Sequence, residues 1–544
     1  MEGLMQQQPL LISTLLEHAS RHHGATAVVS RRTEGGFFRT TWRDTAVRAH
    51  RLAHALDGLR LAPGERVGTL AWNTHRHLEL YFGVSGSGRV LHTINPRLHA
   101  QQVAWIVNHA QDRAVCFDLA FLALVREILP LCPHVRHWIA LCEDDRLPAD
   151  TGIAGLASYE ALLGTGTARY PWPALDENSA STICYTSGTT GPPKGVLYSH
   201  RSAVLNAYAA ATPDAMNLSA RDAVLPVVPM FHVNAWGMVY AAALVGAVLV
   251  LPAQALGGEA LYELIEAEQV TFAAGVPTVW QGLLDHMASR ELRFTALGRA
   301  MIGGSTCPES MIRDLQERHG VQVIHAWGMT ETSPLGIVCT PKREHLGLAA
   351  DEMVALCAKQ GRAIFGIDMR IVGDDGHELA WDGKSCGELQ VKGPAIVRDY
   401  YGNTEGSPLR DGWFPTGDVA TIDAQGYVQI TDRSKDLIKS GGEWISSVAL
   451  EAVACAHPAV KYAACIGVAH PRWGQRPVVV AVLKPGAALG RDELIRFYEG
   501  KVARWQIPDD AIFLDDMPLG PTGKVLKSAL RELVASRAPP RSPG

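Results

Sequence analysis

The sequence has few features that would assign it to a specialised class of protein. Its ten cysteines are scattered along the chain and form no CxxC pair. We therefore expect mostly reduced core cysteines in a cytoplasmic protein. The formal net charge is only −5, which argues against nucleic acid as the main partner, because binding it demands a basic face. The N-terminus lacks the basic region of a signal peptide, and the chain shows no solenoid-type repeat.

One long stretch without charge invites comparison with a membrane span. Trp236–Ala253 contains 18 uncharged residues, which meets the minimum length for a transmembrane helix. Gly237, Gly246 and Pro252 interrupt it, however, and its end at Ala247–Leu251 has the pattern of a buried strand. The sequence therefore predicts a buried helix followed by a core strand, and no transmembrane span.

The remaining composition is that of an ordinary globular protein. Hydrophobic residues make up 47% and charged residues 19% of the 544 residues, a length that predicts three or four folding units. Residues 1–180 and 181–340 alternate helical and strand patterns, which favours βαβ units with parallel sheets. Residues 360–431 contain short strands between Gly and Asp turns, typical of a small β-barrel. A compact α+β pattern follows Asp432, so we expect an α/β fold with a small C-terminal α+β domain.

Thr186–Gly195 (TSGTTGPPKG) is the stretch best suited to bind phosphate. Glycines let backbone N–H groups approach an anion, hydroxyls add donors, and Lys194 adds a positive charge. The pattern is not a Walker A motif, because Gly195 follows the lysine where Ser or Thr should stand. A strand at Ser181–Tyr185 enters the loop, and a flexible surface linker is the alternative interpretation. Ser199 is predicted to cap a helix whose apolar face is Val204, Leu205, Tyr208 and Ala209.

Two carboxylates suit a nucleotide whose phosphates this loop would hold. Glu331, in HAWGMTE, would repel phosphate unless it holds Mg²⁺, which bridges the charges. Asp418, in GWFPTGD, is a good acceptor for ribose hydroxyls. Ligands of open α/β sheets bind beyond the carboxyl ends of the strands, so we expect several strand ends to converge on one crevice. Taken singly, a helix-capping Glu and a turn Asp are the alternatives.

Three further segments carry groups that can meet a phosphate or a carboxylate. Arg433 and Lys435 lie in the charged run Asp432–Glu443, whose two glycines can bring the backbone close to a ligand. Lys524, in PTGKVLK, is placed to present its ammonium group from a turn, and His232 follows a strand end in PMFHVNAWG. A charged linker, a solvated lysine and a core histidine are the respective alternatives.

In combination, the motifs resemble the adenylate-forming superfamily of acyl-CoA synthetases, luciferases and peptide-synthetase adenylation domains. The resemblance covers nearly the whole chain. Within it, PMFHVNAWG, HAWGMTE and DLIKSGGEWIS are similar to fatty acyl-CoA ligases, in particular medium-chain ligases of alkane degradation and relatives that activate methylmercaptopropionate. The superfamily motifs are matched, with no departure at the key positions, by Thr186–Gly195, Gly328–Glu331, Thr416–Asp418, Asp432–Gly442 and Pro521–Lys524.

The resemblance implies nucleotide-binding roles for residues of the large N-terminal domain and the hinge motif. The β- and γ-phosphates of ATP would be held by Thr186, Ser187, Thr189, Thr190 and Lys194, with Gly188 in the same loop. Thr330 would bind the α-phosphate and Glu331 the Mg²⁺, while Asp418 and Arg433 would bind the ribose. The adenine site would be lined by Gly304, Ser305, His325 and Ala326, with Trp327 and Gly328 completing the nucleotide-binding set.

It also implies a moving domain. Lys435 would be the pivot of a hinge, residues 432–437, between a domain of residues 1–431 and a mobile domain of residues 438–544. The N-terminal domain would hold two αβ subdomains with parallel-type sheets and the small barrel, and residues 538–544 are expected to be disordered. Lys524 would stabilise the charge that develops during adenylation. The CoA channel would be formed by Gly441, Gly442 and Trp444, the acyl tunnel would be gated by Trp236, and the carboxylate would lie beside His232.

The implied reaction activates a carboxylate in two steps that use ATP, Mg²⁺ and CoA. The carboxylate attacks the α-phosphorus of ATP to give acyl-AMP and pyrophosphate, and the thiol of CoA then expels AMP. The expected substrate is a fatty acid of medium chain length. The alternatives are another acid such as methylmercaptopropionate, acyl transfer to a carrier protein, or a catalytically inactive nucleotide-binding protein. Some relatives also imply a homodimer.

Overall fold

The computed structural model describes residues 1, 3–186, 193–433, 435–441, 443–520 and 524–537. Four predicted phosphate-loop residues lie outside this part of the chain: Ser187, Gly188, Thr189 and Thr190. Gly442 of the predicted CoA channel and the predicted disordered tail, residues 538–544, also lie outside it.

The helices and strands alternate over most of the chain. The helices are α1 (Ile12–His22), α2 (Trp42–Gly58), α3 (His75–Gly86), α4 (Ala100–Ala110), α5 (Leu122–Ile128), α6 (Tyr159–Gly164), α7 (His200–Ala211), α8 (Val233–Trp236), α9 (Met238–Val245), α10 (Gly258–Ala267), α11 (Pro277–Ser289), α12 (Glu309–Arg313), α13 (Ala350–Ala358), α14 (Ser447–Cys455), α15 (Arg491–Phe497) and α16 (Lys527–Arg537).

The strands are β1 (Ala27–Arg31), β2 (Phe37–Thr41), β3 (Arg66–Leu70), β4 (Val90–Thr93), β5 (Asp112–Phe117), β6 (His137–Ala140), β7 (Ala157–Ser158), β8 (Ala180–Tyr185), β9 (Gly195–Ser199), β10 (Ala223–Pro226), β11 (Val248–Leu251), β12 (Phe272–Gly275), β13 (Arg299–Gly303), β14 (Gln322–Gly328), β15 (Leu335–Val338), β16 (Arg362–Ala363), β17 (Asp368–Val372), β18 (Gly387–Lys392), β19 (Phe414–Ile422), β20 (Val428–Arg433), β21 (Ile438–Ser440), β22 (Glu443–Ile445), β23 (Val460–His470), β24 (Gly474–Leu483) and β25 (Asp510–Leu514).

Two large sheets, mostly parallel, form the N-terminal part of the molecule. The first has the order β7-β6-β5-β3-β4-β8-β9, and only β9 runs antiparallel to its neighbour. The second has the order β16-β15-β14-β13-β12-β10-β11-β1-β2, with antiparallel pairs at its two ends. The first sheet therefore ends in the hairpin β8–β9 that carries the predicted phosphate loop.

Chain order and sheet membership do not coincide, which the division of the sequence into residues 1–180 and 181–340 did not anticipate. The early hairpin β1–β2 joins the second sheet, where β1 pairs in parallel with β11. Conversely, β8 pairs with β4 of the first sheet. These exchanges join the two sheets into one body, because each sheet contains strands from the stretch of sequence that forms most of the other sheet.

The uncharged stretch Trp236–Ala253 folds as predicted, into the buried helix α9 followed by the core strand β11. Within the described part of the chain, no helix combines the length and the apolar character needed to cross a membrane. The helix capped by Ser199 also forms, since the Ser199 hydroxyl accepts a hydrogen bond from the Ser202 N–H.

The buried face of that helix, α7, differs from the prediction. Tyr208 was expected on it but is 53% exposed. The apolar residues turned inward are small: Ala203, Val204, Ala207 and Ala210. Small side chains on this face let α7 pack closely against α9, which is equally rich in alanine.

The unit predicted as a small barrel is an antiparallel sheet of order β17-β18-β19-β20. Strands β17 and β20 lie at opposite ends of this order, so the sheet is open among the described residues and differs from the predicted barrel. Closure into a barrel would require β17 and β20 to pair, and the described strands show no such pair. The chain leaves this sheet at Arg433, where β20 ends. It enters the C-terminal sheet at Ile438, where β21 begins.

The C-terminal segment forms a five-stranded sheet with helices on both faces. The long hairpin β23–β24 is its centre, and β25 pairs in parallel with β24. Successive residues of β24 point to opposite faces, so Val479 and Ala481 pack toward α14 and α15, whereas Val480 packs toward α16. Each face is therefore a small core of its own.

Candidate active site

The predicted site lies at the carboxyl ends of neighbouring strands of the second large sheet. Gly304 and Ser305 follow β13, and Thr330 and Glu331 follow β14. The two strands are parallel neighbours, with Gly303 opposite Ala326. Because the carboxyl ends of parallel strands meet at one edge of a sheet, these residues share one crevice.

The phosphate loop is tied at its base to the adjoining hairpin. The Thr186 N–H donates to the Lys194 carbonyl over 2.9 Å, and the Lys194 N–H donates to Thr186 Oγ1 over 3.3 Å. The two hydrogen bonds close the loop where β8 ends and β9 begins. The exposed Lys194 ammonium lies 4.9 Å from the centre of the Tyr400 ring.

Glu331 is a buried carboxylate with a defined partner. It is 6% exposed, and its Oε1 accepts a hydrogen bond from the Tyr400 hydroxyl over 2.8 Å. Burial raises the pKa of Glu331, while the Tyr400 hydrogen bond and the charges of Arg433 and Lys194 oppose this rise. Neighbouring Thr330 is held through its carbonyl, which accepts from the Tyr198 hydroxyl over 2.7 Å.

The donor set fits a magnesium ion that arrives with ATP. Where Mg²⁺ binds together with a nucleotide, it is normally held through one or two carboxylates, several waters and the phosphates of the nucleotide. Glu331 supplies one buried carboxylate. Across the described residues, no three His, Cys, Asp or Glu side chains cluster as metal ligands. A nucleotide-bound Mg²⁺ would need one such carboxylate from the protein, and Glu331 is placed to supply it.

Asp418 is the most constrained group of the site. It is 2% exposed, its Oδ1 lies 2.8 Å from Arg433 Nε, and its Oδ2 accepts from the Trp327 indole N–H over 2.8 Å. Asp418 and Arg433 are directly opposite in the β19–β20 pair. Burial raises the pKa of Asp418, and the charge of Arg433 is the largest influence that opposes it.

Lys524 reaches this crevice from the C-terminal segment. A β-carbon built on Gly304 would lie 3.4 Å from Lys524 Cε and 3.8 Å from the Trp236 ring. Burial lowers the pKa of Lys524 to about 8, and Arg433 lowers it further, while Asp418 opposes them. Lys194, Arg433 and Lys524 thus provide three cations beside two carboxylates, which suits a polyphosphate ligand.

His325 is buried and its ring is already engaged. Its Nδ1 lies 3.0 Å from the carbonyl oxygen of Ala358 at the end of α13. Burial lowers the pKa of His325 to about 4, and the hydrogen bond to Ala358 opposes this. The ring is therefore neutral, and it fixes the end of α13 against β14 at the predicted adenine site.

The segment that carries His232 and Trp236 has an unusual backbone. Four successive non-glycine residues adopt left-handed conformations, with φ of 47° at Val233, 51° at Asn234, 49° at Ala235 and 55° at Trp236. Such a conformation costs about 1–2 kcal/mol per residue. The Gly237 N–H donates to the Asn234 carbonyl over 2.9 Å, which closes the turn. This left-handed turn aims the Trp236 ring at Gly303, where a β-carbon would lie 3.2 Å from it.

The segment that leads to His232 is held by Asn73, which follows β3 of the first sheet. Asn73 is buried and donates from Nδ2 to the carbonyls of Pro226 and Val228, each over 2.9 Å, while its Oδ1 accepts from the Met230 N–H over 2.7 Å. Burial, then the charge of Lys524, lowers the pKa of His232 to about 3. His232 is therefore a neutral neighbour of the lysine and not a second cation.

The predicted hinge and CoA residues have contacts outside the crevice. Asp436, next to Lys435, pairs with Arg531 of α16 over 2.6 Å, and burial lowers the pKa of Lys435. The Gly441 N–H donates to the Trp473 carbonyl over 2.8 Å, and the half-exposed Trp444 ring faces Lys439. Lys524 therefore lies at the crevice, while Gly441 and Trp444 make these contacts with Trp473 and Lys439.

Sequence reasoning missed three side chains that shape the site: Tyr400, Tyr198 and Asn73. None belongs to a recognised motif, and each acts on a residue far from it in the chain. The two tyrosines lie beside motif residues only because the loop after β18 and the strand β9 fold back onto β14.

Comparison with known proteins identifies the family. Residues 15–401 match the family described as AMP-binding enzyme, and residues 449–524 match the AMP-binding enzyme C-terminal domain. The chain belongs to the AMP-binding enzyme family. The predicted resemblance to the adenylate-forming superfamily is thereby confirmed. In this AMP-binding enzyme the first matched region contains both large sheets with β17 and β18, and the second contains β23, β24 and β25 of the C-terminal sheet.

Relatives match the AMP-binding enzyme over nearly its full length. It is 51% identical over 532 residues to the medium-chain-fatty-acid–CoA ligase of Ectopseudomonas oleovorans, covering 98% of this chain and 97% of that protein. It is also 51% identical over 534 residues to the 3-methylmercaptopropionyl-CoA ligase of Ruegeria lacuscaerulensis, covering 98% of each. The crystal structure of the anthranilate CoA ligase AuaEII in complex with anthranoyl-AMP superposes with a TM-score of 0.87 over 97% of this chain and 99% of that one, at 23% identity. The predicted α/β fold with a separate C-terminal domain is confirmed.

Proposed function

We propose that this AMP-binding enzyme is an ATP-dependent, AMP-forming acyl-CoA ligase. It joins a carboxylic acid to AMP with release of pyrophosphate, and then transfers the acyl group to CoA. The observation that carries the proposal is the position of Lys524, which reaches Gly304 beside the Asp418–Arg433 pair. A cation at that place neutralises the charge that develops when a carboxylate attacks the α-phosphorus.

The proposed nucleotide roles are those implied by the family resemblance, and the geometry of the crevice supports them. Asp418, with Arg433 beside it, binds the ribose, and Thr330 contacts the α-phosphate. Lys194 and the loop from Thr186 hold the outer phosphates. Glu331 would hold the Mg²⁺ that accompanies ATP, and the ion would supply charge neutralisation at the pyrophosphate.

The proposed carboxylic acid is a fatty acid of medium chain length. Support comes from the 51% identity to a medium-chain-fatty-acid–CoA ligase. The Trp236 ring, which lies against Gly303, is the proposed gate of the acyl tunnel. The equal identity to a 3-methylmercaptopropionyl-CoA ligase favours 3-methylmercaptopropionate as the second candidate. His232, neutral and next to Lys524, lies beside the carboxylate in either case.

The division into two conformations is part of the proposal. We assign residues 1–431 to the domain that binds ATP and the acid, residues 432–437 to the hinge at Lys435, and residues 438–544 to the mobile domain. Rotation at the hinge exchanges Lys524 for the segment of Gly441, Gly442 and Trp444, which forms the CoA channel. A domain exchange of this kind lets one site serve two reactions.

A substrate series tests the function. Pyrophosphate release is measured with ATP, Mg²⁺ and straight-chain carboxylates from C2 to C16, together with 3-methylmercaptopropionate, with and without CoA. We expect release with the medium-chain acids and an acyl-CoA product when CoA is added. No release with any acid would contradict the ligase function, and release without a thioester would favour a carrier protein as acyl acceptor.

Two further expectations concern the state of the protein. We propose a cytoplasmic enzyme, supported by ten free cysteines of which eight are buried. We also propose the homodimer implied by the family resemblance, which sedimentation velocity at several concentrations tests directly.

A further inference from the structure

Tyr400 connects two residues of the nucleotide site and belongs to none of its motifs. Its hydroxyl donates to Glu331 Oε1 over 2.8 Å. The face of its ring lies 4.9 Å from the Lys194 ammonium. Burial and the adjacent Glu331 carboxylate raise the pKa of Tyr400, so the hydroxyl remains a hydrogen-bond donor.

The backbone around Tyr400 is fixed to the same two places. The Val397 N–H donates to the Glu331 carbonyl over 2.8 Å, and the Tyr401 N–H donates to the Gly195 carbonyl over 2.8 Å. The Tyr400 ring also packs against a small cluster of buried side chains: Cys184, Val196 and Tyr198. This segment therefore spans from the end of the phosphate loop to the predicted magnesium ligand.

We propose that Tyr400 is a positioning residue that sets the distance between Glu331 and Lys194 before ATP and Mg²⁺ bind. This inference rests on the proposed function. The hydroxyl holds Glu331 through one carboxylate oxygen and leaves the second oxygen for a cation. The electron-rich ring holds the Lys194 ammonium close to the carboxylate without pairing with it.

The arrangement addresses a specific electrostatic problem. Lys194 and Glu331 carry opposite charges and, if free to meet, would form an ion pair that each nucleotide would have to break. With the tyrosine between them, both remain available, the lysine for phosphate and the carboxylate for Mg²⁺. Preorganised groups need not be rearranged when the ligand binds.

Two variants separate the contributions of the hydroxyl and the ring. Tyr400→Phe removes the hydrogen bond to Glu331 and keeps the ring under Lys194, whereas Tyr400→Leu removes both. Tyr401→Phe is the matched control. It changes the neighbouring ring and keeps the hydrogen bond from the backbone N–H of residue 401 to the Gly195 carbonyl. Affinity for ATP is measured by calorimetry with and without Mg²⁺, in the absence of any carboxylic acid.

We expect Tyr400→Phe to weaken binding of Mg²⁺·ATP by roughly tenfold, since a hydrogen bond to a charged group is lost, and to leave ATP binding without Mg²⁺ unchanged. Tyr400→Leu should weaken ATP binding in both conditions. In pyrophosphate exchange, Tyr400→Phe should raise the half-saturating Mg²⁺ concentration, while thioester formation from supplied acyl-AMP stays at the level of the unmodified enzyme.

Two results would overturn the inference: unchanged Mg²⁺·ATP affinity in Tyr400→Phe, or equal weakening with and without Mg²⁺ in that variant. If the unmodified enzyme releases no pyrophosphate with any acid, the proposed function fails, but the calorimetric comparison still decides the role of Tyr400.

Discussion

Lys524 packs its side chain over Gly304, so that a β-carbon on the glycine would lie 3.4 Å from Lys524 Cε. Gly304 has a φ of 82°, a left-handed value that glycine adopts without strain. The lysine belongs to the C-terminal segment and the glycine to the end of β13. Their contact is the one expected of the arrangement that we propose for adenylation.

Lys524→Ala should separate the two half-reactions. We expect adenylation, followed as acid-dependent exchange of pyrophosphate into ATP, to fall by at least a hundredfold, because the cation proposed to face the developing charge is lost. Formation of acyl-CoA from supplied acyl-AMP should remain largely intact. An equal loss of both half-reactions would contradict the proposed role of Lys524.

The adenylation rate should fall at alkaline pH. The pKa of Lys524 is lowered to about 8, so its ammonium is present below this pH and lost above it. We expect kcat/KM for pyrophosphate exchange, measured without CoA so that its thiol does not titrate, to decline above pH 8 with a one-proton slope. In Lys524→Arg, whose side chain stays charged, the decline should move to higher pH; an unchanged profile would refute this assignment.

Asp418→Asn should impair both half-reactions, in contrast to Lys524→Ala. The ribose is present in ATP and in acyl-AMP, and the substitution removes the negative charge that faces Arg433. We expect kcat/KM for ATP, and separately for acyl-AMP, to fall roughly tenfold to a hundredfold. Asp423→Asn, in the turn of the same hairpin, serves as the control and should leave both values unchanged. A selective effect on one half-reaction would argue against ribose binding.

Trp236→Ala should change the chain-length preference. The ring lies close to Gly303 and Gly304, where it would gate the acyl tunnel. Its removal would open that space. We expect the ratio of kcat/KM values for C12 and C6 acids to rise at least severalfold. Trp381→Ala, a change of a partly exposed tryptophan outside the site, is the control. A chain-length profile equal to that of the unmodified enzyme would rule out the gate.

Asn73→Ala should lower stability and weaken binding of the acid. Three hydrogen bonds to Pro226, Val228 and Met230 are lost, and at about 1 kcal/mol each the free energy of unfolding should drop by about 3 kcal/mol. Urea unfolding followed by tryptophan fluorescence measures this. The segment it supports leads to His232, so KM for the acid should rise. Retention of full stability would show that the hydrogen bonds contribute little.

Much of the fold was predictable because it depends on local sequence patterns. Glycine and proline mark the ends of β10, β12 and β13, and the alternating helix and strand patterns indicate parallel sheets. The uncharged stretch at Trp236–Ala253 could be assigned to a helix and strand because Gly246 divides it. The buried face of α7 could not be predicted correctly, since close packing against α9 favours alanines there over the larger Tyr208.

The candidate site was predictable as a set of motifs and not as a geometry. Asp418, Glu331 and Lys524 could be named because each stands in a recognisable short pattern. Tyr400 could not, because its hydrogen bond to Glu331 joins residues far apart in the sequence. The left-handed turn at Val233–Trp236 was equally hidden, as its residues include only one that readily adopts positive φ, Asn234.

The sequence by itself thus determined the family, the order of the motifs and the chemical groups available to them, since these depend on residue type and short spacing. The tertiary structure alone decided which groups meet. It placed Lys524 at Gly304, set Tyr400 between Glu331 and Lys194, and exchanged strands between the two large sheets. These contacts arise from the packing of segments distant in the chain, where burial and charge select one partner among many.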